Sequence, residues 1–238
     1  MQTGFTELDK IINLSEPQVI LLTDSGLVAE LSGDIANNVC LHQEKEVLEI
    51  VSSKKEYLIK RLLANNANVD YKSWTLKDKY NDEELKQIGQ TTVNLIEVTK
   101  RLPTIIEQDM SLYNLKKVTK LVKDFANHYA DRDTIESLVV LDICPLNSVH
   151  HNLKYGRQTK RLLKDMKKIS KRLNCPILLT YSGDINKVCK YVDRCVILEE
   201  SHNNIFNLRV LDGRNVVGNL TLEYDFKCRR FKKEQLNE

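Results

Sequence analysis

The chain has 238 residues, 42% of them hydrophobic and 29% charged, with a net charge of +3. This is ordinary for a globular protein, and residues 1–238 are expected to form a single large α/β domain. So small a net charge gives no argument for nucleic-acid binding, no apolar run nears the roughly 20 residues of a membrane span, and the N-terminus has no secretion signal; the expected setting is cytoplasmic.

Taken in chain order, VILLT at Val19–Thr23 and EVLEIVS at Glu46–Ser52 predict two strands. A helix is expected over Lys54–Asn65, with Leu58, Leu62 and Leu63 on one face and lysines opposite. A second helix is expected over Asn81–Arg101, whose Asn-Asp-Glu-Glu start suits the unpaired amides and positive dipole of a helix N-terminus. PTIIE at Pro103–Glu107 predicts the next strand, and Leu112–Tyr129 an amphipathic helix with a basic outer face. SLVVLD at Ser137–Asp142, PILLTY at Pro176–Tyr181 and CVILEE at Cys195–Glu200 predict further strands, with a helix over Gly156–Leu173 between the first two. Runs this short, continuous and rich in Val, Ile and Leu suit parallel strands covered on both faces. Their alternation with helices implies crossover units and a mostly parallel sheet flanked by helices. Beyond Glu200, IFNLRVLD and NLTLEYD flank a turn-like GRNVVG and predict antiparallel strands at the C-terminal end.

The six cysteines, Cys40, Cys144, Cys175, Cys189, Cys195 and Cys228, show no C-x-x-C spacing and read as reduced, buried thiols. His150 and His151 are adjacent, so their side chains diverge, and no metal site is expected.

The order of the pieces carries a resemblance. Thr3-Gly4-Phe5-Thr6-Glu7-Leu8-Asp9 is similar to the TGF-x-x-LD opening of DnaB-type replicative helicase motor domains. VILLT follows where that family has its P-loop strand, and YLIKRLLANNANVDYKSWTLKDKYNDEEL resembles its RLLA-x-x-x-x-VD stretch and following helix. LVVLDICPLNS resembles the Walker B strand, RQTKRLLKDMKKISKRLNCPILLTYS the helix and strand after it, and GRNVVGNLTLEYDFKCRRF the RNG-x-x-G turn and final strands. The match runs from Thr3 to Phe231. It implies a RecA-like fold, a hexameric ring with ATP between neighbouring motor domains, and channel loops that grip single-stranded DNA. The family's N-terminal domain and linker helix are not expected here.

A P-loop needs glycines for close backbone approach, a Lys for the terminal phosphates and a Ser or Thr for magnesium. After VILLT the chain reads Asp24-Ser25-Gly26-Leu27-Val28-Ala29-Glu30-Leu31-Ser32-Gly33, and the family's G-K-T falls near Ala29-Glu30-Leu31. Between Lys10 and Lys45 there is no Lys or Arg, in a chain that has 36. Exchanging an attractive Lys for a repulsive Glu swings phosphate binding by several kcal/mol, since a unit pair near 4 Å is worth about 4 kcal/mol at an effective dielectric of 20. Asp24, Ser25, Gly26, Glu30 and Ser32 therefore read as a vestigial nucleotide site, its serine–glycine pairs making a plain turn at a helix start. By the same resemblance, the family's catalytic Glu falls on Ser52, which cannot act as a base; Glu49 lies earlier on the strand. The Walker B Asp is kept as Asp142, expected to cap local backbone. The phosphate-sensing Gln falls on Ser182, and the Lys reaching the neighbour's ATP falls on Asp212 or Gly213, leaving Arg214 as the surviving finger candidate.

The loop Ser148–Arg157 offers Lys154 and Arg157 as candidate DNA contacts, while the second channel loop shrinks to SGDINKVCKYVDR. The basic helix faces read as solvated surface, having no interleaved aromatics. Two readings follow. The first is a non-catalytic DnaB-helicase-like protein acting in DNA replication through contact with a replicative helicase or another replication protein, with no cofactor and at most weak single-stranded DNA binding; a homo-oligomer is compatible with it. The second is a divergent ATP-dependent DNA helicase that hydrolyses ATP with magnesium and translocates on single-stranded DNA.

Overall fold

A computed structural model describes residues 1–23, 26–71, 81–97, 102–108, 115–130, 134–143 and 153–232, the side chains of 96–97 and 153–155 excepted. Its strands are β1 (Val19–Thr23), β2 (Glu46–Val51), β3 (Thr104–Glu107), β4 (Ser137–Asp142), β5 (Ile177–Tyr181), β6 (Arg194–Glu200), β7 (Ile205–Asp212), β8 (Asn215–Asp225) and β9 (Arg230–Phe231). Its helices are α1 (Thr6–Asp9), α2 (Val28–Asn37), α3 (Lys55–Ala67), α4 (Asp82–Glu97), α5 (Leu115–His128) and α6 (Leu153–Leu173).

These strands form one sheet in the order β3-β2-β4-β5-β1-β6-β7-β8-β9. The strands from β3 to β6 are parallel, and β6 to β9 are antiparallel. Every residue of β1 and β5 is buried, which is why their sequences are unbroken apolar runs rather than alternating ones. The expected mixed sheet, parallel in the centre and antiparallel at the C-terminal end, is the one observed.

Each face of the sheet has its own core. On one, α1 and α2 pack Phe5, Leu8, Leu31 and Ile35 against the sheet and against Phe206, Tyr224 and Phe231 from the last strands. Those three rings meet edge to face, with Phe206 6.1 Å from Tyr224 and 5.7 Å from Phe231, the geometry that aromatic quadrupoles favour. On the other face, α5 contributes Val118 and Val122, and α6 contributes Leu162, Leu163 and Met166. The Thr3–Asp9 opening is a packing device. Thr3, Phe5 and Leu8 are buried, the Asp9 carboxylate accepts from the Thr3 amide at 2.5 Å, and Gly4 has φ +90 with the Asn38 side chain where a Cβ would lie.

Boundaries differ from expectation in several places. The GRNVVG segment is mostly strand: only Gly213, at φ +61, and Arg214 turn the chain. Asn215 already pairs with Asp212, and the extra residue is absorbed at a bulge opposite Val210 and Leu211. Gly218 serves packing, since a Cβ there would sit 2.3 Å from Ile11. Helix α6 starts at Leu153 and runs through Gly156, so Lys154 and Arg157 stand on a helix rather than in a loop. The predicted helix over Asn81–Arg101 is observed to Glu97, and 98–101 lie outside the described residues. The short SGDINKVCKYVDR connection folds as two single 3₁₀ turns, Ile185–Lys187 and Cys189–Tyr191. Cys40, Cys175, Cys189, Cys195 and Cys228 are free and buried; Cys144, His150 and His151 lie outside the described residues.

Candidate functional site

The carboxyl ends of β1, β2, β4 and β5 lie along one edge of the sheet, where open parallel α/β sheets take their ligands. Helix α2 starts at this edge after the turn at Gly26-Leu27, and its N-terminus has no side-chain cap. Asp24 and Ser25 lie outside the described residues. Gly26, Glu30, Ser32, Glu49 and Asp142 line one cavity of about 200 Å³, with Tyr57 and Arg61 among its other walls. Four of the sequence-derived site residues, Gly26, Glu30, Ser32 and Asp142, are therefore brought together.

The chain's own groups fill the start of α2. The Glu30 carboxylate, 8% exposed, accepts from the Tyr57 hydroxyl at 3.1 Å and from the Arg229 guanidinium at 3.2 Å. Arg229 arrives from the turn between β8 and β9 at φ +54. Its guanidinium lies 5.5 Å from the Tyr57 ring centre and 5.1 Å from that of Tyr71, and the two rings meet edge to face. Behind Glu30, Arg61 of α3 lies across α2. It donates to the Glu30 carbonyl at 2.6 Å, to the Arg229 carbonyl at 2.9 Å, and pairs with the Asp34 carboxylate. Gly33 makes room for it, because a Cβ there would sit 2.5 Å from the guanidinium. The second Asp34 oxygen accepts from the Phe231 amide at 2.8 Å, so the same network ties α2, α3 and β9 together.

Burial dominates the electrostatics. It pushes the Asp34 pKa up to about 6, outweighing the Arg61 charge beside it. Burial costs Arg61 as well, but Asp34 and Glu30 outweigh that cost and raise its pKa, so it stays charged. Glu49, 5% exposed on β2, is pushed up to about 7, again by burial first. The Tyr57 hydroxyl is held at about 12 by burial and by Glu30.

Asp142 ends β4 and accepts from the Thr180 hydroxyl at 2.6 Å and from the Ser52 hydroxyl at 2.8 Å. Its partners thus include side-chain hydroxyls of β5 and of the β2 end, where backbone was expected. Ser32 donates back to the Ala29 carbonyl at 3.0 Å, a bond within the helix. Ser182, just past β5, and Arg214, at the β7–β8 tip, are exposed and do not line the cavity. Arg157 is exposed on α6, over the opposite sheet face from α2. Among the described residues, no group of three or more His, Cys, Asp or Glu could hold a metal ion, and no helix is long and apolar enough to cross a membrane.

No protein-family model matches the sequence, and no curated protein matches it. The structure superposes on a solved ATPase domain of the DnaB helicase type with a TM-score of 0.73 at 15% identity, covering 98% of this chain and 90% of that one. It also superposes on a DnaB-like replicative helicase, described together with its interactions with primase, with a TM-score of 0.73 at 14% identity. The fold is that of a DnaB-type helicase ATPase domain. The second superposition covers 98% of this chain but 61% of the DnaB-like helicase, less than two thirds of that protein's length. Identity this low shows the fold alone.

Within the DnaB-type fold, sequence reasoning missed Arg61, Arg229, Tyr57, Tyr71 and Glu49. Arg61 had a signal: it falls between Leu58, Leu62 and Asn65 on the inward stripe of α3, and only a paired cation survives there. Arg229 had none, because it reaches Glu30 from 199 residues away.

Proposed function

We propose that this chain is a non-catalytic DnaB-helicase-like protein, acting in DNA replication through contact with a replicative helicase or its complex. One observation carries the reading: where a phosphate-binding helix start needs a cation and open backbone, Glu30 holds a buried carboxylate, and the nearby cation Arg229 is engaged by it. Paired charges leave no net attraction for a triphosphate, and a cavity of about 200 Å³ falls below the roughly 300 Å³ at which small-molecule pockets begin. The residues present do not suit ATP with magnesium, and no catalytic step is derived through them. The unbroken sheet from β3 to β9 supports one RecA-like domain over residues 1–238.

A protein that keeps this scaffold without its phosphate chemistry is retained for its surfaces. The partner is a replication protein, first of all the replicative helicase whose fold it shares; primase is what the DnaB-like helicase is described with. Size-exclusion chromatography with the cognate helicase at micromolar concentration is expected to show co-elution, and calorimetric titration with magnesium-ATP to show no binding. The second reading, a divergent ATPase, draws on Glu49, a buried carboxyl near neutrality in the same cavity as Asp142. Phosphate release that stops in Asp142→Asn would establish it and remove the first.

A further inference from the structure

The outer surface of α5 and α6 concentrates positive charge that the rest of the molecule lacks. Counting Leu115–His128 and residues 156–173, these segments hold twelve Lys and Arg against two Asp, a net of +10. The remaining residues hold twenty-four against thirty-one, a net of −7, which together give the chain its +3. The modest overall charge therefore conceals a strongly dipolar molecule.

The arrangement is ordered. Arg157, Arg161, Lys164, Lys168, Lys171 and Arg172 are exposed and recur at helical spacings, so they share one stripe of α6 with no carboxylate in it. Lys116, Lys120 and Lys123 form the matching exposed stripe of α5, which packs beside α6 on the same face. Among the described residues, Lys167 alone of the twelve is held in an ion pair, with Asp193 at 2.7 Å. At the 3₁₀ turns, like charges converge: the ammonium groups of Lys160, Lys164 and Lys190 lie 6.0, 5.4 and 5.3 Å from the centre of the Tyr191 ring. Folding has gathered cations that repel one another and left the opposite charge to be supplied from outside.

We infer that the α5–α6 face binds the phosphate backbone of duplex nucleic acid, without sequence preference and without nucleotide. Duplex suits it better than a single strand. Single-strand binders combine a basic groove with aromatic rings on which bases stack, whereas the exposed positions of these stripes hold no aromatic and the Tyr191 ring is crowded by ammonium groups. A rigid stripe on a helix of 21 residues, about 31 Å long, matches nearly one turn of a duplex that carries one charge per ~1.7 Å. The face lies over the opposite side of the sheet from Glu30, so the inference stands independently of the proposed function.

The test is fluorescence anisotropy of the full chain with a 20-bp random-sequence duplex, the same sequence as a single strand, and poly-glutamate as competitor. The expected result is duplex binding at 50 mM salt that weakens about 10³-fold or more by 200 mM, as six or more phosphate contacts require. The triple variant R161Q/K164Q/K168Q should lower the salt slope by about three, while K54Q/K55Q/K227Q, three exposed cations elsewhere, leaves it unchanged. Absence of duplex binding at 50 mM salt, tighter binding of the single strand, equal loss in both triple variants, or displacement by poly-glutamate as readily as by duplex would each overturn the inference.

Discussion

The two faces of the sheet treat charge in opposite ways. Around α2, Glu30, Asp34, Arg61 and Arg229 are drawn inside and satisfied by one another and by the Phe231 amide. On α5 and α6, a larger number of charges stays at the surface, nearly all of one sign and, Lys167 apart, outside any ion pair among the described residues. Buried charges must be paired within the protein because the interior cannot solvate them. Exposed ones can remain unpaired because water and salt screen them. The first region is therefore tied to stability and the second to encounter with a partner.

The sharpest way to break this contrast is to remove one member of the buried network. Arg61→Met leaves the Asp34 carboxylate and the Glu30 carbonyl without their cation, and breaking such a pair on one side costs about 3–5 kcal/mol. Urea unfolding should show that loss, and Arg61→Met with Asp34→Asn should recover part of it, because the orphaned charge goes too. A loss below about 1 kcal/mol would mean that the network is dispensable.

How much of this was legible in the sequence follows from the range of each interaction. The strands announced themselves because burial on both faces requires unbroken apolar runs: Val19–Thr23 and Ser137–Asp142 are observed residue for residue. The absence of cations near α2 was also visible, as the gap between Lys10 and Lys45. What replaced them was not, because Arg61 and Arg229 come from a neighbouring helix and from the far end of the chain. The turn at GRNVVG misled because its glycines suggest a loop, although Gly218 is set by Ile11 packing against it. The basic stripes were visible as faces of single helices, but their meeting with each other and with Tyr191 needed the tertiary fold.

A smaller effect sharpens the same comparison by pH. Glu49 has its folded pKa raised from 4.5 to about 7 and Asp34 from 3.8 to about 6. Between the unfolded and folded values the native state binds more protons than the unfolded chain, so their contribution to stability is full below about pH 4 and is lost as pH rises through 6 to 7. For Glu49 that loss is about 3 kcal/mol at pH 8, at 1.36 kcal/mol per unit. Glu49→Gln should stabilise the protein at pH 8, change little at pH 4, and flatten the rise in unfolding midpoint seen on acidification. An unchanged pH profile in Glu49→Gln would mean that the carboxyl is solvated.

The smallest predicted effect separates the faces most cleanly. In R161Q/K164Q/K168Q each altered side chain is exposed on α6 and none is ion-paired among the described residues. Surface changes away from such partners stay within about 0.5 kcal/mol, and relief of like-charge repulsion along the stripe favours the variant side of that range. Urea midpoints should therefore coincide with those of the parent at moderate salt, and exceed them slightly at low salt, where repulsion is least screened. A clear destabilisation would show that these cations hold the fold together, as Arg61 does, and the division between a face that stabilises and a face that recruits would have to be redrawn.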